Sequence, residues 1–345
     1  MKTYTNTAFF ISLILSISGC NIFESERNRD GKFMKDVVNL EEFNSPYNDY
    51  NSNIAQNKYG NFSIVFSSDR EKRSHFNLVS FPAFVTYDSK KDKLNLSRNS
   101  NGSWVPDFNE NAEASSFISK VNGDFNVLGP NFVSTYTNTI VTYGDSEKFS
   151  ALFYADDASG KLKIKYVSRQ GRTGEISEPA NFELLNDSHN SAYPSISPYG
   201  DRIYFCSDRG GNFDIYELTI PRGSSERVTM ENLTKPKSFT LRKVEELSSP
   251  FEDKCPYLNG NTMVFTSNRS GGEGGFDIYY STYTNGRWSE PVNAGQRINT
   301  KYDEYRPILP NLNNFSYYPM IFSSDRPGGK GGFDLYMTGL KEIQW

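Results

Sequence analysis

Four Asp/Asn-Arg steps recur along the chain: Asp69-Arg70, Asp208-Arg209, Asn268-Arg269 and Asp325-Arg326. After the last three, a Gly-rich stretch leads to a second acid, Asp214, Asp277 or Asp334, inside a Phe-Asp-Ile/Leu-Tyr run. Acids, bases and glycines at this spacing could hold a calcium ion or a ring of functional charges. Acidic pairs could also act as the acid and base of glycoside cleavage, and Asp253, Asp303 and Glu304 are the carboxylates to consider for it. Repetition argues for a different use. Identical residues in successive copies hold a fold, here by capping turns and by pairing each Arg with the following Asp214, Asp277 or Asp334. No D-x-[DN]-x-[DN]-G calcium loop and no G-x-S-x-G nucleophile elbow occurs. The two histidines, His75 and His189, have no partner at zinc-ligand spacing. No cofactor is expected.

The elements that carry these residues are hairpins. FTSNRSGGEGGFDIYY (265–280) recurs as FSSDRPGGKGGFDLYM (322–337) and, shortened, as FCSDRGGNFDIYEL (205–218). Residues 66–81 form a fourth copy without the turn glycines, and 153–168 a degenerate fifth. A β-rich run, a tight glycine turn and an alternating strand make one antiparallel hairpin. About twenty residues upstream of most copies lies an Asn/Ser/Asp turn, such as Asn299-Thr300-Lys301-Tyr302-Asp303-Glu304, and before it an outer-strand run such as Trp288–Val292. The unit is a four-stranded antiparallel blade, and the chain is an all-β propeller.

The signature Phe falls at 66, 153, 205, 265 and 322, giving gaps of 87, 52, 60 and 57 residues. Five blades are expected, with an insertion between Asn109 and Tyr143 in the second; six is the alternative. The last unit has little room for an outer strand. Residues 33–44 resemble 288–299, with Val38-Asn39 answering Val292-Asn293 at a one-residue offset. The N-terminal segment should therefore complete the C-terminal blade and close the ring, making 33–345 one domain.

The 345 residues are 36% hydrophobic and 15% aromatic, with net charge −4. No basic field stands out, which excludes a nucleic-acid partner on charge grounds. Residues 1–19 read as a signal peptide: Lys2, an apolar run over 8–17, then Ile17-Ser18-Gly19 before Cys20. This resembles the lipobox of bacterial lipoproteins, which implies lipidation at Cys20, a polar tether over 20–32 and, with Asn21 following, the outer membrane. Whether the domain then faces the periplasm or the outside is left open. Cys206 and Cys255 fall in adjacent units and form one candidate disulfide.

The repeated F-x-S-[DN]-R-x-G-G-x-G-G-[FY]-D-[IL]-Y signature, with W-S-x-P-x-N and the Asn-Thr-x-x-Asp-Glu step, resembles the WD-repeat-like propeller family that includes the TolB propeller, especially forms found in Bacteroidota envelope proteins. The match is specific over 186–337, weaker over 33–81 and poor from 82 to about 168. It implies a non-enzymatic binding or scaffold role for an envelope protein, with the membrane met only through the lipid. The alternative is a glycan-binding or glycoside-hydrolysing five-bladed propeller. Binding surfaces are expected where copies disagree: Asn109 to Tyr143 and Pro221 to Lys243.

Overall fold

A computed structural model describes residues 36–56, 62–88, 93–98, 110–135, 148–171, 173–223, 226–310 and 317–341. The hairpin copies build five antiparallel sheets. The first comprises β2 (Asp49–Gln56), β3 (Phe62–Ser68), β4 (Asn77–Asp88) and β5 (Lys93–Ser97). The second comprises β6 (Val127–Ser134), β7 (Phe149–Asp156), β8 (Lys163–Gln170) and β9 (Ala180–Asn181). The third comprises β10 (Ser191–Ile196), β11 (Arg202–Ser207), β12 (Asp214–Thr219) and β13 (Thr240–Lys243). The fourth is β14 (Asp253–Asn259), β15 (Thr262–Ser267) and β16 (Asp277–Thr284), its outer edge split between β17 (Arg287–Trp288) and β18 (Val292–Asn293). The fifth is β19 (Glu304–Ile308), β20 (Tyr317–Ser324) and β21 (Asp334–Lys341), with β1 (Val38–Asn39) at its edge. The first strands β2, β6, β10, β14 and β19 pack on one another in a closed circuit. The sheets are thus five blades around one axis, and six blades are excluded.

Each blade is sandwiched between two others, so its second strand is apolar on both faces. Phe66, Phe205, Phe265 and Phe322 are all 0% exposed at equivalent points of these strands; in the second blade the register puts Tyr154 (1%) at that point, and Phe153, read as its signature residue, lies one position earlier on the opposite face. Burying such a side chain contributes about 1.5–3 kcal/mol.

Ring closure follows the expected route. Val38 pairs with Met337 and Asn39 with Tyr336, as Val292 pairs with Tyr280 and Asn293 with Tyr279. Val38-Asn39 thus stands where Val292-Asn293 stands, as the alignment with its one-residue offset expected. Asn39 donates to the Asp334 carboxylate at 3.3 Å, and Asn293 to Asp277 at 3.0 Å. Asn44 and Asn299 each bond both polar groups of one backbone position, Leu335 and Ile278 respectively. The closing strand therefore reproduces the side-chain bonds of a continuous blade.

The second blade differs from its sequence reading. Its inner strand is Val127–Ser134, inside the span read as an insertion. Ahead of it comes helix α1 (Glu110–Val121). Ala114, Phe117, Ile118 and Val121 recur at helical spacing and pack with Val65 and Leu78 of the first blade and Leu152 and Val167 of the second. The helix is a wedge between two blades. Asn122 then bonds Leu78 N and O at 2.8 Å each, the part Asn299 plays in the fifth blade.

The other variable stretch holds a short helix, α2 (Met230–Thr234), closed by a capping box between Thr229 and Asn232, before the outer strand β13. The candidate disulfide is not formed. Cys206, mid-strand in β11, and Cys255, on the inner strand of the next blade, are free thiols in one apolar cluster. Burial pushes Cys206 up to about 11 and Cys255 higher still, which keeps both protonated.

Candidate functional site at the mouth of the axial channel

The repeated arginines do not pair with the acids first assigned to them. Arg70 Nη2 lies 2.6 Å from Asp49, Arg269 Nη2 2.6 Å from Asp253 and Arg326 Nη2 2.9 Å from Glu304, each acid being the first residue of its inner strand. The same guanidinium groups donate to the carbonyls of Phe43, Leu247 and Ile298 at 2.7 Å and lie over the signature Phe rings. Arg209 keeps the carbonyl bond, to Leu185, with Ser191 at the inner-strand position and its acid, Asp187, supplied at 3.3 Å by the preceding turn. Asp277 and Asp334 instead accept the backbone N–H groups of their own glycine turns. Asp214 has a shorter turn and takes Lys243 at 2.7 Å. Geometry explains the exchange: the inner-strand acid lies under the Arg, while the later Asp curls back under the turn that precedes it.

This removes the carboxylates considered for glycoside cleavage. Asp253 and Glu304 are 0% exposed, and their remaining oxygens accept from Ser249 and Thr300 at 2.6–2.8 Å. Asp303 is tied to Phe276 N at 2.8 Å. Asp69, Asp208, Asn268 and Asp325 each accept the backbone N–H of the turn residue that opens their own blade, Asn48, Asn190, Glu252 and Asp303.

At the axis, each inner strand carries one residue in the left-handed region: Asn51 (φ 60°), Gly129 (59°), Tyr193 (57°), Cys255 (57°) and Arg306 (47°). Each sits where the register between first and second strand shifts, a bulge repeated around the ring. Four of the five are followed by proline, at 130, 194, 256 and 307. A positive φ is costly for tyrosine, cysteine or arginine, so the ring packing must hold it. Gly129 has a second reason to be glycine: a Cβ there would strike the Tyr193 ring, on the same axis.

Arg306 fills the centre. It starts in the fifth blade, donates to Pro256 O of the fourth at 3.3 Å and Pro130 O of the second at 3.2 Å, and lies 5.5 Å from the Tyr193 ring of the third. It is 0% exposed and its Nε finds no acceptor. Among the described residues no carboxylate pairs with it, and burial lowers its pKa.

Above this plug the channel opens into a rim of aromatic rings. The inner strands supply Tyr50 and Tyr305 from the residue before the bulge, the glycine turns supply Phe213, Phe276 and Phe333, and the glycine-free turn of the first blade supplies Phe76. All are half-buried. The rings touch in sequence: Phe76–Tyr50 at 4.7 Å between centroids, Tyr50–Phe333 at 5.8 Å, Phe333–Tyr305 at 6.4 Å and Tyr305–Phe276 at 5.4 Å. Lys254 bridges the next gap, its Nζ 5.2 Å from the Phe276 ring and 4.6 Å from Phe213. Glu252 pairs with it at 2.5 Å. The poorly matched second blade closes the circle with Leu128 and Leu162. The glycine pairs make this placement possible. A Cβ at Gly331 or Gly332 would strike Tyr47 O or the Asn48 side chain, and one at Gly274 or Gly275 would strike Tyr302 O or Asp303.

Sequence reasoning assigned function to the divergent loops and fold to the repeated turns. The Asn109–Tyr143 surface is, in its described part, a packed wedge and an inner strand, whereas Pro221 to Lys243 does border a cleft. The aromatic rim was missed because Phe213, Phe276 and Phe333 read as ordinary half-buried strand residues. Their recurrence immediately before Asp214, Asp277 and Asp334, in three successive blades, was the available signal. Cys20 and the whole of 1–35 lie outside the described residues.

No family model matches this chain, and no curated protein matches it by sequence. Among solved structures, it is similar to an endo-arabinase from Bacteroides thetaiotaomicron, at 12% identity and TM-score 0.48 over 89% of this chain and 98% of that one. It is also similar to the catalytic domain of a Coprinopsis cinerea GH62 α-L-arabinofuranosidase, at 10% identity and TM-score 0.49 over 90% and 98%. A protein described as TolB from Agrobacterium tumefaciens matches at 12% identity and TM-score 0.34 over 81% and 71%. These likenesses are of fold. One expectation is corrected: the resemblance to the TolB-like family implied a non-enzyme, and glycoside hydrolases stand among the solved structures to which this chain is similar, so that exclusion does not hold.

Proposed function

We propose that this chain engages a glycan at the aromatic mouth of its axial channel, as an outer-membrane protein held by a lipid on Cys20. The observation that carries the reading is the circuit of half-buried rings from Phe76 through Tyr50, Phe333, Tyr305 and Phe276 to Phe213, broken only by Lys254. Sugar rings present C–H faces that pack on aromatic faces, and their hydroxyls suit a charged pair such as Lys254–Glu252. The envelope location rests on the lipobox-like Ile17-Ser18-Gly19-Cys20. Labelling with a palmitate analogue should be lost in Cys20→Ala; retained label would refute the anchor.

A glycan array probed with the full chain in detergent tests the main reading, with the same glycans assayed for cleavage. Binding that weakens at least tenfold in Tyr305→Ala supports it. Retention no better than that of an unrelated lipoprotein overturns it. A protein partner is the second reading, favoured by Phe239 (43% exposed) and Leu241 (37%) on the outer edge of the third blade. Capture from crosslinked envelopes, compared with a Leu241→Asp variant, tests that surface: equal partner recovery by both would discard it.

A further inference from the structure

A cleft of about 490 Å³ lies on the side of the ring between the third and fourth blades. Its walls are the Asp201–Arg202 turn, Glu217, the Pro221–Arg222 step, Arg242 with Glu246, and Tyr283 of the neighbouring blade. None of these residues belongs to the axial mouth, and none is part of a repeated clamp.

The hydrogen-bonding capacity of this cleft is unevenly spent. Each of its carboxylates already holds a donor. Glu217, buried, accepts Tyr204 Oη at 2.7 Å and Arg242 Nε at 2.9 Å. Asp201 accepts Ser197 Oγ at 2.6 Å, and Glu246 accepts Arg242 Nη1 at 3.3 Å. Arg222 is different. Its side chain is 6% exposed and bonds only carbonyls, Gly200 O at 2.9 Å and Asn232 O at 3.2 Å. Its Nη1 makes no hydrogen bond, and the nearest carboxylate, the exposed Glu226, is 3.8 Å away. Arg202 lies 4.3 Å above the Tyr283 ring, with Asp201 3.8 Å from its Nε, beyond hydrogen-bond reach. Each carboxylate thus has a donor of its own, while Arg222 keeps a donor to give and Arg202, which also reaches Tyr204, keeps the rest of its fork. Burial also lowers the Arg222 pKa, so no neighbour fully offsets its charge.

We propose that this cleft is a second binding site, one that takes the oxyanion of a small ligand between Arg202 and Arg222, with Tyr283 as a flat wall. A guanidinium fork matches a carboxylate or phosphate in plane, and the volume suits a single ring-sized molecule. Carboxylate and phosphate ester are one recognition chemistry here, and the probes separate them. The site is independent of the glycan reading, since it shares no residue with the mouth.

Isothermal titration of the full chain in detergent with glucuronic acid, glucose 6-phosphate, inorganic phosphate and neutral glucose tests it. One or both charged sugars should bind, glucose should not compete, and Arg202→Ala should weaken binding at least tenfold. Binding of inorganic phosphate alone would mark an adventitious ion only and refute the proposal. Arg222→Ala is buried and could compromise folding, so the partly exposed Arg202 carries the test. Tyr305→Ala should leave this affinity unchanged. No binding of any charged probe, or equal affinity in wild type and Arg202→Ala, overturns the site.

Discussion

Arginines occupy two regions of this propeller on opposite terms. At the hairpin ends Arg70, Arg269 and Arg326 each meet a carboxylate at 2.6–2.9 Å, and each fixes an inner strand, a turn and a neighbouring carbonyl at once. At the axis Arg306 is more deeply buried and meets only carbonyls at 3.2–3.3 Å. The repeated charges are therefore used up in the fold, whereas the axial cation is a filler whose charge has no fixed counterpart. The lesson is that repetition of a charged pair marks structure, and that the rings the pairs hold in place form the surface available for binding.

The largest expected effect follows from breaking a clamp. Arg269→Ala leaves Asp253 buried and unpaired, and should cost about 3–5 kcal/mol of unfolding free energy in urea melts. Arg306→Met removes a buried charge with no carboxylate partner and keeps most of its volume. Its unfolding free energy should stay within about 1 kcal/mol of wild type or rise, in the way buried ion pairs are often replaced without loss. A loss equal to that of Arg269→Ala would erase the distinction between the two regions.

A smaller difference separates Asp214 from Asp277 and Asp334. Those two accept turn N–H groups, while Asp214 has none and burial raises its carboxyl above the ordinary 3.8 despite Lys243. A carboxyl raised in the folded state binds its proton more tightly there than in the unfolded chain. Its contribution is then greatest at low pH and declines as pH rises from 3.8 through the raised folded value. In stability-against-pH curves, Asp214→Asn should lack that decline; superimposable slopes for both proteins would contradict it.

The smallest effect concerns the turn between the fourth and fifth blades. In three blades an asparagine donates its amide to the repeated Asp: Asn48 to Asp69 at 2.9 Å, Asn126 to Asp157 at 2.6 Å and Asn190 to Asp208 at 2.7 Å. In the fifth blade the same position is Asp303, an acid facing Asp325. Asp303→Asn should restore the missing bond and raise stability by about 0.5–1.5 kcal/mol, read as a higher melting temperature. An unchanged or lower melting temperature would count against equivalence of the five turns.

The five blades and their closure were legible because the bonds that make them are local and repeated. Asn39 and Asn44 are spaced as Asn293 and Asn299 almost are, and they do the same work. The second inner strand was not, since Val127–Ser134 carries no Asn-Thr-x-x-Asp-Glu step and its glycine turn lost the aromatic. Its markers were subtler: Asn122 and Asn126 at the four-residue spacing of Asn44 and Asn48, then Gly129-Pro130 matching Tyr193-Pro194. The axial plug was beyond sequence reading. Nothing near Arg306 in the chain indicates that its guanidinium will meet Pro130, and only ring closure brings them together. The aromatic mouth was visible as composition but not as a circuit, because its members come from different blades.

The most direct test of that mouth is the affinity of an array-identified glycan for wild type and for Phe333→Ala, measured by titration on folded protein. Loss of one ring from the circuit should weaken binding at least tenfold while the melting curve stays cooperative. Equal affinity for both proteins would place the glycan elsewhere and contradict the assignment of the axial mouth as the site.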